Sequence, residues 1–249
     1  MRISQAWIIA SKDFRTFTRK TNILYSTFGV PLLVSLLLPA VLRLVESRHA
    51  GAPGLAPQIA GNLLPAFTFF YLILAGIIPT AIASYTVAGE KVERSLEPLL
   101  ATPTTDAEIL LGKAIAAIVP PLGAIVVGSA IFMTLADLVT RGTLGRDFFP
   151  NGNALVVLFV MAPLAAAISV AWNVVISSRV TDVRIAQQVG GLVVLPFAGV
   201  YVSGEVGLIH LGVTRNLLLV AGVQLVAAVL LLGLAVATFR RDEILTRWK

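Results

Sequence analysis

The chain has 249 residues, of which 57% are hydrophobic and only 13% charged, with a net charge of +6. Soluble domains carry about 25% charged residues. A chain this greasy lacks the polar surface to face water all round, which places it among integral membrane proteins. The absence of cysteine excludes disulfides, thiolate metal sites and cysteine nucleophiles.

Residues 2–20, RISQAWIIASKDFRTFTRK, repeat Ile3, Trp7, Ala10, Phe14 and Phe17 at three- and four-residue steps, with Arg2, Lys12, Arg15, Arg19 and Lys20 mostly off that stripe. Too polar to span, the segment predicts an amphipathic helix in the membrane interface; a soluble N-terminal arm is the alternative. It lacks the short apolar stretch and small cleavage-site residues of a signal peptide.

The first predicted span is 22–42, since about 20 apolar residues cross a bilayer; Pro31 and Pro39 are tolerable there. A loop over 43–61 follows, broken by Gly51, Pro53, Gly54 and Pro57. The second span, 62–88, opens on Phe67, Phe69, Phe70 and Tyr71, aromatics suited to a membrane interface. Between 89 and 106 lies the most charged interior stretch, a predicted elbow outside the bilayer. The third span, about 107–136, is announced by Thr105 and Glu108 at capping-box spacing, and Pro120–Pro121 should bend it. A polar loop at 137–152 leads to the fourth span, 153–177. A short turn leads to the fifth, 185–203, with Gly190, Gly191 and Pro196 inside it. Residues 203–215 predict a short outer helical or re-entrant segment, and 216–239 the sixth span. The expected fold class is an all-α polytopic membrane protein, a single transmembrane domain over 1–249.

Six spans put both termini on one side. That side carries five basic residues in the N-terminal helix, Lys91, Arg94 and Lys113 around the elbow, Arg179 and Arg184 in the turn, and four in the tail. Opposite them stand only Arg43, Arg48, Arg141, Arg146 and Arg215. Cytoplasmic loops hold the Lys/Arg excess, so the elbow and both termini are expected in the cytoplasm, and the chain in the plasma membrane as a multi-pass protein. Placed this way, the net charge requires no nucleic acid.

Catalytic signals are few. Gly112–Lys113 is followed by Ala114 and residue 107 is Ala, so no phosphate-binding loop is formed. The two histidines, His49 and His210, stand in no metal-ligand spacing. Apart from their ends, the spans contain no clear Asp, Glu, Lys or Arg, which argues against a proton relay. If the chain transports, its energy comes from another polypeptide.

The elbow therefore carries the functional argument. As a helix, Glu90 to Leu100 gathers Val92, Leu96, Leu99 and Leu100 on one side, and Glu90 can pair with Arg94 at i, i+4; a solvated loop fits the pattern equally. The words Glu90-Lys91-Val92-Glu93-Arg94-Ser95-Leu96-Glu97-Pro98-Leu99-Leu100-Ala101-Thr102-Pro103 and Ile109-Leu110-Leu111-Gly112-Lys113 resemble the central motif of type-2 ATP-binding-cassette (ABC) export permeases, approximately E-K-E-x-G-T-L-E-x-L-L-x-T-P with a Gly-Lys beyond. Val92 replaces an acidic residue of that motif, and Ser95 stands near its Gly-Thr pair.

The resemblance implies a membrane-spanning permease subunit exporting a substrate. It implies a second copy of this or a related permease and two copies of a separate ABC ATPase. ATP and Mg bind in that partner, and this chain holds no cofactor or metal and has no enzyme activity of its own. Glu90, Val92, Glu93, Arg94, Leu96, Glu97, Leu99 and Leu100 become the coupling helix on the ATPase. Phe67, Phe70 and Tyr71 of span two and Phe197 and Tyr201 of span five are candidates for a weakly polar translocation path; a lipid-facing aromatic belt is the alternative. A non-transporting membrane anchor driven by the same ATPase, or a polytopic membrane enzyme, are the competing classes.

Overall fold

Helix formation across the apolar runs is what a bilayer demands, because a helix satisfies its backbone polar groups internally. The computed structural model describes residues 3–49, 55–85, 104–180 and 182–238. They contain an N-terminal helix, α1 (Ile3–Thr18), and six helices long and apolar enough to cross a membrane: Tyr25–Arg48, Pro57–Ser84, Asp106–Leu144, Gly152–Arg179, Val183–Glu205 and Thr214–Thr238. These are spans one to six below. No strand occurs among the described residues.

Spans two and four form the interior. Span two packs on spans one, three, four and five, and span four on spans two, three, five and six. Span four can approach so many neighbours because its inward positions are small: Ala162, Ala165, Ala166, Ser169 and Ala171 are buried. Small residues let helix backbones close together where lipid supplies no hydrophobic force between helices. Spans one, five and six each leave an apolar side open, with Leu36, Leu195 and Val223 among the most exposed residues.

Several boundaries differ from the sequence expectation. Span one stays helical to His49, through Arg43, Glu46 and Arg48, since no Gly or Pro lies between Ala40 and His49. Span two begins its helix at Leu55; Pro57 falls in the first turn, where a missing N–H costs nothing. Span three runs unbroken through Pro120 and Pro121 to Leu144. Its 39 residues extend to about 58 Å at 1.5 Å per residue, against a hydrocarbon core of about 30 Å. Span three must therefore stand clear of the lipid core at one end or both. Gly145 stops it in the left-handed region at φ 66°, its N–H donating to the Arg141 carbonyl.

Within span five the helix breaks at Leu192 and Val193, just past Gly190 and Gly191: helix Val183–Gly191 yields to helix Val194–Glu205. The Trp172 indole donates to the Val189 carbonyl at this break (3.3 Å). The outer segment expected to be helical or re-entrant is made of turns over 206–213. The cause is a glycine C-cap. Gly207 adopts φ 77°, with Leu208 N–H donating to the Ser203 carbonyl and Gly207 N–H to the Gly204 carbonyl, the paired bonds of a Schellman stop.

Candidate functional site

The site is assembled at the end of the bundle where spans two and three leave it. Residues 86–103 lie outside the described residues, and with them Glu90, Val92, Glu93, Arg94, Leu96, Glu97, Leu99 and Leu100. The two roots of that segment are described, and both are held by the N-terminal region.

At the span-three root, Thr105 is an extended N-cap. Glu108 N–H donates to Thr105 Oγ1 (3.3 Å), and Thr105 N–H to Glu108 Oε2 (3.0 Å). This is the capping box expected from the sequence, and Asp106 and Glu108 put negative charge where the helix dipole favours it. One turn further, Gly112 faces α1 so closely that a Cβ there would lie 2.6 Å from the Ala6 carbonyl oxygen and 2.8 Å from Ile9 Cβ. Beside it, Lys113 Nζ lies 3.9 Å from Asp13 Oδ2, with both side chains almost wholly buried. At the span-two root, the Lys20 ammonium sits 4.4 Å from the centre of the Tyr85 ring, a cation–π contact.

The packing face of α1 shares Ala10 and Phe17 with the predicted apolar stripe and leaves Trp7 and Phe14 toward the open side. Ala6, Ile9, Ala10, Asp13 and Phe17 are buried, whereas Trp7 is 57% exposed and Phe14 is only partly covered. The face is set by complementarity to Gly112 and Lys113 rather than by hydrophobicity alone. Asp13 was missed by sequence reasoning. Its signal was a carboxylate placed between Ala10 and Phe17 on an otherwise apolar side.

A second polar cluster joins spans two, four and five at the same end. Ser84 Oγ donates to Asn173 Oδ1 (3.1 Å), and Asn173 Nδ2 to the Ser169 carbonyl (2.9 Å). Gly190 lies directly against the Asn173 amide, with no room for a Cβ.

The aromatic candidates fall into two groups on span two. Tyr71 is fully buried and packs on Phe132 (centroids 5.6 Å), which also meets Phe67 edge-on (6.3 Å). The Tyr71 hydroxyl is 2.9 Å from Ser35 Oγ, and Ser35 donates to the Gly128 carbonyl (2.7 Å), knitting spans one, two and three. On the other side, the buried Phe197 lies over Gly76, and Tyr201 stacks with Phe69 at 6.3 Å. Phe70 is partly buried. Span two thus separates Phe67 and Tyr71 from Phe197 and Tyr201 within one protomer.

The sequence profile of the ABC-2 family transporter protein matches residues 7–214, from α1 through the start of span six. The chain belongs to the ABC-2 transporter family. With its six apolar helices, it is a multi-pass membrane protein and a permease subunit of an ABC transporter, a family whose members associate with an ABC ATPase. No curated protein matches the chain. As an ABC-2 permease, it is a transport subunit, and α1 from Trp7 onward and the roots of residues 86–103 belong to the matched region.

Proposed function

We propose that the chain forms the translocation path of an exporter in the cytoplasmic membrane, with the elbow between spans two and three as its coupling helix. Two permease copies, identical or related, pair with two ATPase subunits that bind ATP and Mg. The elbow and both termini face the cytoplasm, following the basic residues. ATP-driven movement of the ATPase reaches the elbow through Val92, Leu96, Leu99 and Leu100, with Glu90, Glu93, Arg94 and Glu97 at its rim. Coupling of this kind needs a rigid element with two arrangements, biased by nucleotide state.

The observation that supports this reading is the grip of the N-terminal region on both elbow roots. Asp13, Ala6 and Ile9 hold the start of span three, and Lys20 holds the end of span two. A displacement of the elbow would thereby be delivered to spans two and three together instead of being lost in a slack loop. Phe67, Phe70, Tyr71, Phe197 and Tyr201 stay candidates for a weakly polar path, suited to a hydrophobic or lipid-like substrate.

The test is Leu96→Asp. In a dry groove on the ATPase, an unpaired carboxylate costs on the order of several kcal/mol. Insertion and thermal stability of the permease should match the parent, while pull-down of the ATPase and substrate-stimulated ATP hydrolysis are lost. Assembly and coupling like the parent would show that the elbow is only a loop.

A further inference from the structure

The outward face of α1 has the chemistry of a headgroup-binding surface. The helix carries a single carboxylate, Asp13, and that group is turned inward against Lys113. Lys12 and Arg15 of the helix and Arg19 just past its end are exposed and recur at steps of three and four, along one side. Ile8, 61% exposed, lies beside them, and Trp7, 57% exposed, flanks the other edge with Phe14 packed edge-on at 6.2 Å. The face is therefore cationic along one edge and aromatic along the other, with no acidic residue on it.

Its position sets what it can meet. Only Arg19 and Lys20 separate the end of α1 from the helix that begins at Thr21 and continues into span one. Tyr25 and Phe28, at the start of that span, are exposed. The outward face thus sits at the level where a bilayer's headgroups meet its acyl chains. Trp and Tyr favour that level, and a helix with a basic edge and a buried apolar edge lies in it.

We infer that this face binds anionic phospholipid headgroups, with Arg15 and Arg19 as the principal phosphate contacts and Trp7 and Ile8 set into the acyl boundary. Guanidinium groups match phosphate in a bidentate fork. The inference needs only that the chain sits in a bilayer, and it holds or fails separately from the coupling role of the elbow. Because the opposite face of α1 is fixed to Gly112 and Lys113 of span three, headgroup charge at Arg15 and Arg19 bears on the root of the elbow.

The test uses the full chain reconstituted in phosphatidylcholine vesicles containing trace spin-labelled phosphatidylglycerol or spin-labelled phosphatidylcholine. Electron spin resonance then reads the motionally restricted lipid at the protein surface. The parent should hold phosphatidylglycerol over phosphatidylcholine by several-fold, with the preference shrinking as salt is added. Arg15→Gln with Arg19→Gln should abolish the preference, since each basic residue near an anionic surface adds to the attraction. The same double variant should melt like the parent, since both side chains are exposed. Arg215→Gln, at the far end of the bundle, should retain the preference. An equal preference in parent and double variant would overturn the inference. So would loss of the preference when a purified ATPase partner is added, which would assign the face to that protein instead.

Discussion

Lys113 Nζ lies 3.9 Å from Asp13 Oδ2, with the two side chains 1% and 7% exposed, so a helix at the start of the chain is pinned to the base of span three across 100 positions of sequence. Breaking such a pair is costlier than never having it, because the remaining charge stays buried. Lys113→Met or Asp13→Leu alone should each destabilise the protein by about 3–5 kcal/mol. The double variant Asp13→Leu with Lys113→Met should regain most of that loss. Thermal unfolding in detergent across the four proteins gives the coupling energy; strictly additive losses would show that the two groups act independently.

The contact beside that pair makes a sharper comparison, because one helix offers two glycines in opposite settings. A Cβ at Gly112 would press on the Ala6 carbonyl and on Ile9, whereas nothing lies within 4 Å of one at Gly123. Gly112→Ala should cost about 1–3 kcal/mol through overpacking and loosen α1 from span three, seen as faster proteolysis within residues 3–18. Gly123→Ala should be neutral or stabilising by about 0.5–1 kcal/mol, since alanine orders a helix interior at less entropic cost. Equal effects at the two positions would mean that the approach of α1 to Gly112 is not tight.

The six spans and the capping box at Thr105 were legible because they rest on local signals, apolar run length and a three-residue spacing. The ends of spans one and three were not. Charged residues such as Arg43 and Asp137 mark where the lipid ends, but helices stop at breakers, and span three continues until Gly145 can turn left-handed. In α1 the apolar stripe was legible, but the residues that pack inward beside it were not. Asp13 turns inward because its partner, Lys113, is remote in sequence and periodicity does not reveal it. The aromatics were chosen by type, and their separation onto two sides of span two depends on Phe132 and Gly76, which periodicity does not single out.

Gly190 and Asn173 form the tightest inter-span contact of the polar cluster. Alanine at 190 would drive a methyl group into an amide that already accepts from Ser84 and donates to the Ser169 carbonyl. Gly190→Ala should therefore destabilise by about 1–3 kcal/mol and separate the first half of span five from span four. Asn173→Ala alone should cost about 0.6–2 kcal/mol for its interhelical hydrogen bond. Together they should cost less than the sum, because the smaller side chain at 173 makes room for the methyl. Additivity in thermal unfolding would place Gly190 out of reach of Asn173.

Orientation in the membrane is the property that the basic residues argue and that a cysteine-free chain lets one measure without background. If the elbow and tail are cytoplasmic, Arg94→Cys and Leu245→Cys should resist an impermeant thiol reagent applied to intact cells and react once the membrane is opened. Ala52→Cys and Arg146→Cys should react from outside; position 146 is exposed, just beyond the Gly145 stop of span three. The prediction does not depend on the ATPase, since it follows from span number and Lys/Arg placement alone. Labelling of position 94 in intact cells would invert the topology. It would also put the elbow on the wrong side of the membrane for a partner that hydrolyses cytoplasmic ATP, removing the coupling role along with the orientation.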